Sequence, residues 1–464
     1  MRKIDYISIN IYHSLVTEYE NNIKENGPYL NIFGIFMHEI MKYLTNYIII
    51  ENSNYNYNFE MDFPYLNTKY IKQPFHVLSL NSKQITTNKQ KLLKNIFKLS
   101  IFSKKNITIC EDTPSEVKKY LIKNIFRFNI SYTNRVKCFL PTKMSQINKL
   151  KDFLLEFCLK YKVLNHDIFI QNFIQYIELY IQDNECEFNG EYFIGGSNSI
   201  LSNRIMAAYF LANGKQVISL AHGEQDMLTL DDPYCGYADM SFCTYYISYG
   251  SRCLTFNNYN TPLPGHKPTI LRRNSEIVNN FYKNNSVDSI DIKKPALYIP
   301  TSFSKNRRYG PFRDMDDEDY LSWQCEIFDK KRKIFYKGHP SNYFKPDFVN
   351  IDEMVYDNLK NINFNEYGYI ILDYMSTAFA LAAASSIPII YFNLGLMNIS
   401  EDVIEDVKSR VFWVDIDLTN DIKPQIESAL LTFIKVRRNY KKNYTSQYSL
   451  ADNRLKDILA KILV

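Results

Sequence analysis

The chain has 464 residues, 46% of them hydrophobic and 23% charged, which is the composition of a folded globular protein of two or three domains rather than of a disordered or fibrous one. Its 55 basic and 50 acidic side chains leave a net charge of +5, too slight by itself to argue for nucleic acid, whose capture needs a concentrated basic face. The 8 cysteines are scattered, with no C-x-x-C pair and no Cys/His cluster of zinc spacing, so a reduced cytoplasmic protein is expected.

At the N-terminus "MRKIDYISINIYHS" lacks the long apolar core of a secretory signal. The most lipid-like window, "NIFGIFMHEIMKYLTNYIII", is interrupted by His38, Glu39 and Lys42, which predicts a buried helix rather than a membrane span. Through residue 185 the abundant Asn, Lys and Tyr blur the periodicities. "TPSEVKKYLIKNIF" and "KDFLLEFCLKYKVLNHDIFIQNFIQYIELYIQ" still repeat apolar residues at helical spacing, and this part reads as helices with a few strands.

From residue 191 the rhythm is clear. "EYFIGG" reads as a strand, "SILSNRIMAAYFLANG" as a helix closed by Gly214 and "KQVISLAHGE" as a second strand, which together make a βαβ unit. Glycine is scarce, 14 in all, and eight of them fall between Gly190 and Gly265. Tight turns or close approaches to a ligand are therefore expected there and, with Gly310 and Gly338, in the stretch that follows.

"RRNSEIVNNFYKNNSVDSIDIKK" reads as a linker. After it come the strand "PALYIPTS", the helix "DEDYLSWQCEIFDKK", the strands "KIFYKG" and "YGYIILD", the helix "STAFALAAASS" and the strands "IPIIYFN" and "VFWVD". Strands and helices alternating at these lengths imply a parallel sheet covered on both faces. The fold class is therefore α/β, two Rossmann-like domains facing a central cleft, with ligands at the carboxyl ends of the strands. The domains are drawn at 1–275 and 290–445, and a C-terminal helix in 446–464 is expected to pack back on the N-terminal domain.

Two motifs sit at carboxyl ends of strands in the second domain. In "FYKGHPS", Gly338 permits close backbone approach to a ligand, Pro340 fixes the loop, His339 can donate to a phosphate and Lys337 can add a cation. One junction later, "YIILDYMSTAF" ends a buried strand at Asp373 and opens a helix at Ser376 and Thr377. A helix N-terminus of that kind is an anion site, and equally an ordinary N-cap. Further candidates lie in "SLAHGEQDMLTLDDPYCGYADM", where Glu224 is the first choice for a general base with His222 beside it. The aspartates Asp226, Asp231, Asp232 and Asp239 of the same stretch also fit a solvated loop. In "YIPTSFSKNRRYGPFRDMDDEDY", Ser302, Arg307 and Arg308 can meet a phosphate or a sugar carboxylate, and Asp314 is the nearest carboxylate to follow the strand.

The pair His339-Pro340 and Ser376-Thr377, in that order and on those strands, resembles the bacterial GT-B glycosyltransferases of capsule and lipopolysaccharide assembly that use CMP- or CDP-activated donors. These include Kdo transferases, sialyltransferases and glycerophosphotransferases. The resemblance covers the C-terminal half and, before it, only the chain from about residue 191. It implies that the two motifs grip the phosphate of a cytidine nucleotide, that a catalytic group for the acceptor comes from the loop carrying Glu224, and that the partners are a nucleotide-sugar donor and a glycan or lipid-linked glycan acceptor. In retaining members an aspartate from the loop after the first strand of this domain acts as nucleophile; here only Asp314 stands near that position.

The expectation is thus a cytoplasmic, metal-independent glycosyltransferase of surface polysaccharide synthesis at the inner face of the inner membrane, with peripheral membrane contact. It would use no cofactor beyond the CMP-sugar co-substrate, the sugar being Kdo or a related ulosonic acid. Transfer of CDP-glycerol or of another nucleotide sugar on the same scaffold stays open. So does a non-catalytic module that binds nucleotide or glycan.

Overall fold

The computed structural model describes residues 3–51, 104–132, 144–181, 190–221, 223, 235–252, 261–284, 291–301, 317–328, 333–340, 346–397, 399–435 and 443–463. Two parallel sheets organise them. The first contains β1 (Lys105–Ile109), β2 (Phe128–Tyr132), β3 (Tyr192–Ile194), β4 (Gln216–Leu220), β5 (Tyr245–Tyr249) and β6 (Thr269–Arg273), in the order β2-β1-β3-β4-β5-β6. The second contains β7 (Ala296–Tyr298), β8 (Ile334–Tyr336), β9 (Tyr369–Leu372), β10 (Ile389–Asn393) and β11 (Phe412–Asp415), in the order β11-β10-β9-β7-β8. Every pairing is parallel. In both sheets the second strand lies outside the first and the third pairs with the first on its other side. The order therefore reverses once per sheet, between β1 and β3 and between β7 and β9, and in open α/β sheets ligands bind beyond the strand ends at such a switch point.

Helices cover both faces, so the strands carry apolar side chains on both. In the first sheet Phe193, Val217 and Tyr246 face a core shared with α1 (Lys3–Asn26), α2 (Ile32–Ile35), α3 (Met37–Glu51), α5 (Met144–Lys160), α6 (His166–Glu178) and α7 (Leu201–Ala212). Their neighbours Ile194, Ile218 and Ile247 face the opposite core, with Val117 and Leu121 of α4 (Ser115–Lys123) and Leu455, Ile458, Leu459 and Leu463 of α14 (Leu455–Leu463). The chain's last helix thus packs on the first sheet. The window holding His38, Glu39 and Lys42 forms α2 and α3 of the core, and among the described residues no helix is long and apolar enough to cross a membrane. Glu39 is buried there and accepts from the equally buried Arg204 at 2.9 Å.

The second sheet alternates in the same way. Leu297, Ile370, Leu372, Ile389 and Tyr391 face α8 (Glu276–Asn284), α10 (Thr377–Ala384), α11 (Glu401–Arg410) and α13 (Asn443–Tyr448). Tyr298, Ile371, Ile390 and Phe392 face α9 (Asp317–Ile327) and α12 (Ile422–Lys435). The segment expected to be a linker contains the last two residues of β6, Arg272 and Arg273, and the helix α8, whose Val278 and Phe281 are buried. Its polar residues occupy the outer side of an amphipathic helix, which is why it looked like linker sequence.

Two stretches of chain cross between the sheets, one after β6 and the other between α13 and α14, and they lie side by side. The Asn274 amide donates to the Asn453 carbonyl at 2.8 Å and the Ser275 amide to the Ser449 carbonyl at 2.9 Å. Gly250, at φ +76°, closes on this strap, and a Cβ there would stand 2.4 Å from the Gln447 carbonyl oxygen. Only glycine combines that φ with that approach.

Candidate functional site

At the carboxyl edge of the second sheet, β8 runs out into Lys337, Gly338, His339 and Pro340, and β9 into Asp373 and Ser376. β7 lies between these two strands, so the two loops flank its end and stand two strand spacings, roughly 10 Å, apart. The motifs are successive in sequence but bracket a strand in space.

The Lys337 amide donates to the Tyr298 carbonyl at 2.9 Å, and its ammonium, largely buried, donates to the Gly338 carbonyl at 3.0 Å. Burial lowers the Lys337 pKa, and the charge of Asp357 opposes that shift. His339 is half-buried, and burial together with the nearby Lys337 lowers its pKa below the ordinary 6.5. It is therefore a neutral imidazole near pH 7, a hydrogen-bond donor through one ring nitrogen rather than a fixed cation.

Ser376 is the N-cap of α10, its Oγ accepting from the Ala378 amide at 3.2 Å, and Thr377 is the exposed first residue of the helix. The ordinary capping role is thus filled, and a hydroxyl that accepts still carries a proton to donate. At the other end of α10 the buried Arg410 forks into its last turn. Its Nε donates to the Ala383 carbonyl at 2.8 Å and Nη2 to the carbonyls of Ala382, Ser385 and Ile387 at 2.9, 2.8 and 3.0 Å. A cation at the C-terminus complements the helix dipole and completes carbonyls that have no partner within the helix.

Beneath the loop after β9 lies a network that single motifs did not announce. The Asp373 carboxylate, 2% exposed, accepts from the Tyr298 hydroxyl at 2.5 Å, the Tyr320 hydroxyl at 2.9 Å and the Trp323 indole at 3.0 Å. The Thr301 amide donates to Tyr320 at 2.9 Å. Burial first, and the Asp373 charge second, push both phenols well above their ordinary pKa, so they stay protonated and donate. Asp373 ties together the ends of β7 and β9, helix α9 and the loop after β7. The sequence signal was an aspartate ending an apolar strand, with aromatic residues whose tips are polar at the neighbouring strand end and in the next helix.

A second set of residues gathers at the switch point of the first sheet. A cavity of about 250 Å³ is lined by Asp112, Ser115, Glu116, Ser197, Tyr249 and Arg273, among others. These residues come from the carboxyl ends of β1, β3, β5 and β6 and from the start of α4. Arg273 is 4% exposed. It donates from Nη1 to Glu116 at 2.6 Å and from Nη2 to the Tyr249 hydroxyl, and its guanidinium lies 4.2 Å from the centroid of the Tyr249 ring. Asp239, expected in a solvated loop, is instead 5% exposed. It lies within the π-helical turn Cys235–Met240 and accepts from the Ser197 hydroxyl at 2.9 Å and the Ser199 amide at 3.1 Å. Its carboxylate fixes the turn after β3, a structural duty that takes it out of solvent. The sequence signals for this site were "CEDTPSE" and "GGSNS", each a polar cluster that directly follows a strand, and "LRRN", in which a strand ends on two arginines.

His222, Glu224, Ser302, Arg307, Arg308 and Asp314, with Asp226, Asp231 and Asp232, lie outside the described residues. Among the described residues no group of three or more His, Cys, Asp or Glu side chains is arranged to hold a metal ion. The expected site residues that are described fall on the second sheet alone, and the cavity on the first was not foreseen. Neither a protein-family model nor a curated protein matches the chain.

Proposed function

We propose that the chain is a glycosyltransferase of the GT-B kind that binds a CMP-sugar at the second sheet and a glycan acceptor at the first. The observation that carries this reading is the repetition of one topology: two parallel sheets in one chain, each with a single order reversal between its first and third strands. A phosphate-competent pair of loops lies beyond one reversal and a cavity lined by carboxylates and an arginine beyond the other. An enzyme that moves a group between two ligands needs two such sites, and the polar groups at each suit its ligand.

In this reading neutral His339 and the Ser376 hydroxyl donate to the donor phosphate, Lys337 adds charge, and Gly338 lets the loop approach. The acceptor hydroxyl attacks the anomeric carbon, the bond from that carbon to the phosphate oxygen breaks, and CMP departs with the electron pair. A carboxylate takes the acceptor proton. Glu224 is the base proposed from sequence, and Asp112 is the described carboxylate of the acceptor cavity that can do the same work. The proposed sugar is Kdo or a related ulosonic acid, its carboxylate met by Arg307 and Arg308, and the product is a surface polysaccharide. CDP-glycerol transfer on the same scaffold would use the same phosphate grip.

Calorimetric titration with CMP, CDP, UDP and GDP tests the donor side. Cytidine nucleotides should bind best, and His339→Ala should weaken them about tenfold or more. Tighter UDP binding would overturn the donor assignment. Transfer from CMP-Kdo to a lipid-linked glycan, compared in wild type, Glu224→Gln and Asp112→Asn, tests the chemistry. Full turnover in both variants would remove both carboxylates from the reaction.

A further inference from the structure

The end of the first sheet opposite its cavity holds apolar side chains in solvent among unpaired cations. Between Glu116 and Asp152 the chain runs for 35 residues with nine basic and no acidic side chains, where acids otherwise number 50 in 464. That run opens with α4 and its turn into β2. α4 leaves from the carboxyl end of β1 and β2 starts where α4 stops, so the turn, residues 124–127, lies at the amino edge of the sheet. The inner face of α4 is supplied by Val117 and Leu121, both buried. Two further apolar residues stand outside the core. Ile122 is 63% exposed, and Phe126, in the turn itself, is 70% exposed.

Cations surround this pair. Lys119 and Lys123 lie one turn apart on α4 beside Ile122, Arg127 follows Phe126, and all three are exposed. α14 packs alongside α4 and ends at the same edge, where the Tyr192 hydroxyl, at the start of β3, donates to the Ile462 carbonyl at 3.4 Å. Lys461, in its last turn, is exposed as well. Among the described residues none of these four cations is in an ion pair. A single lysine in the last turn would complement the dipole of α4; that requirement explains neither the whole row nor the exposed phenylalanine and isoleucine within it.

Shape and chemistry choose the partner. A helix-to-strand turn projects and offers no groove to a peptide. Lysines are point charges on flexible stems that need no fixed geometry in the group they meet, which suits a fluid anionic surface. Stable peripheral binding to a bilayer takes two signals, apolar insertion and basic attraction, and both are present on this one edge. Nucleic acid phosphates would engage the cations and leave Ile122 in water.

We infer that the amino edge of the first sheet docks on an anionic lipid bilayer, with Ile122 and Phe126 entering the headgroup layer and Lys119, Lys123, Arg127 and Lys461 meeting lipid phosphates. The carboxyl ends of the strands, where the cavity lies, then stand at least one strand length above the lipid, roughly 17 Å for a strand of five residues. The docking surface does not depend on the transferase reading.

Co-sedimentation of the full chain with vesicles of phosphatidylcholine alone, and of an equal mixture of phosphatidylcholine and phosphatidylglycerol, tests it. The protein should bind the mixed vesicles at least about tenfold more tightly and release them as salt rises. Lys119→Gln combined with Lys123→Gln should weaken binding about fivefold for each cation removed. Ile122→Ser combined with Phe126→Ser, which keeps every charge, should weaken it about tenfold or more. Phe126→Trp reports insertion directly, by a blue shift of its emission on the mixed vesicles that phosphatidylcholine alone does not produce. The surface is overturned if both vesicles bind equally, if the serine pair binds like wild type, or if the tryptophan emission stays where it was. Binding of an RNA duplex that the serine pair retains and the glutamine pair loses, in a protein that leaves the vesicles in solution, would assign the cations to nucleic acid instead. CMP titrated into the same protein reports on the second sheet alone, so vesicle binding without CMP binding would sink the transferase assignment and leave the docking surface standing.

Discussion

Tyr298 donates its phenol proton to the Asp373 carboxylate across 2.5 Å, joining the end of β7 to the end of β9 where the strand order of the second sheet reverses. Hydrogen bonds to a charged acceptor are worth about 1.5–3 kcal/mol. Tyr298→Phe should therefore destabilise the fold by about 2 kcal/mol in urea unfolding. It should also weaken CMP binding, because the loop that leads to Ser376 starts at Asp373. Asp373→Asn should cost more, since an amide cannot accept from Tyr298, Tyr320 and Trp323 as a carboxylate does. Wild-type stability in Tyr298→Phe would show that the other two donors suffice.

Arg410 is buried, its Nε and Nη2 donating to backbone carbonyls of the end of α10 and the turn after it. Replacing it with an apolar chain of similar length leaves those acceptors short of donors. Arg410→Met should lower stability by about 3 kcal/mol, measured by chemical denaturation. Arg410→Lys should recover only part, because an ammonium cannot reproduce the planar fork. Equal stability of the Lys variant and wild type would reduce the role of Arg410 to its charge.

His266 makes acid stability testable. The ring is buried with Nε2 2.7 Å from the Tyr19 hydroxyl, and burial lowers its pKa from 6.5 to about 4. The unfolded chain takes up this proton near 6.5, whereas the folded one resists until about 4. Stability is therefore indifferent to this group above that interval and falls as pH drops through it, by about 3 kcal/mol in total. His38 shifts in the same direction, so His266→Gln should flatten the slope between pH 6.5 and 4 without abolishing it. An unchanged slope in urea midpoints would show that the imidazole is charged in the folded protein.

How much of this could be read from the sequence depended on burial. "YIILD" and "IPIIYF" were legible as strands because a central strand covered on both faces must be apolar at every position. β2 and β6 are the edge strands of their sheet, β2 mostly exposed and β6 mostly half-buried, and they mix Asn, Ser, Thr and Arg with the apolar residues, so neither period shows. The same holds for the sites. His339 and Ser376 were readable because each follows a strand with a local signature. Arg273 was not, because its meaning lies in Glu116, 157 residues earlier in the chain. Asp239 misled in the opposite sense: its partners, Ser197 and Ser199, belong to another loop.

The paired crossings between the sheets have a mechanical meaning. Because the two crossings are bonded to each other at Asn274–Asn453 and Ser275–Ser449, sliding one half of the molecule along the strap would have to pull one crossing past its neighbour and break both bonds. Arg252, just past β5, also reaches Asp402 of α11, so the halves are laced by side chains as well as by the two runs of main chain.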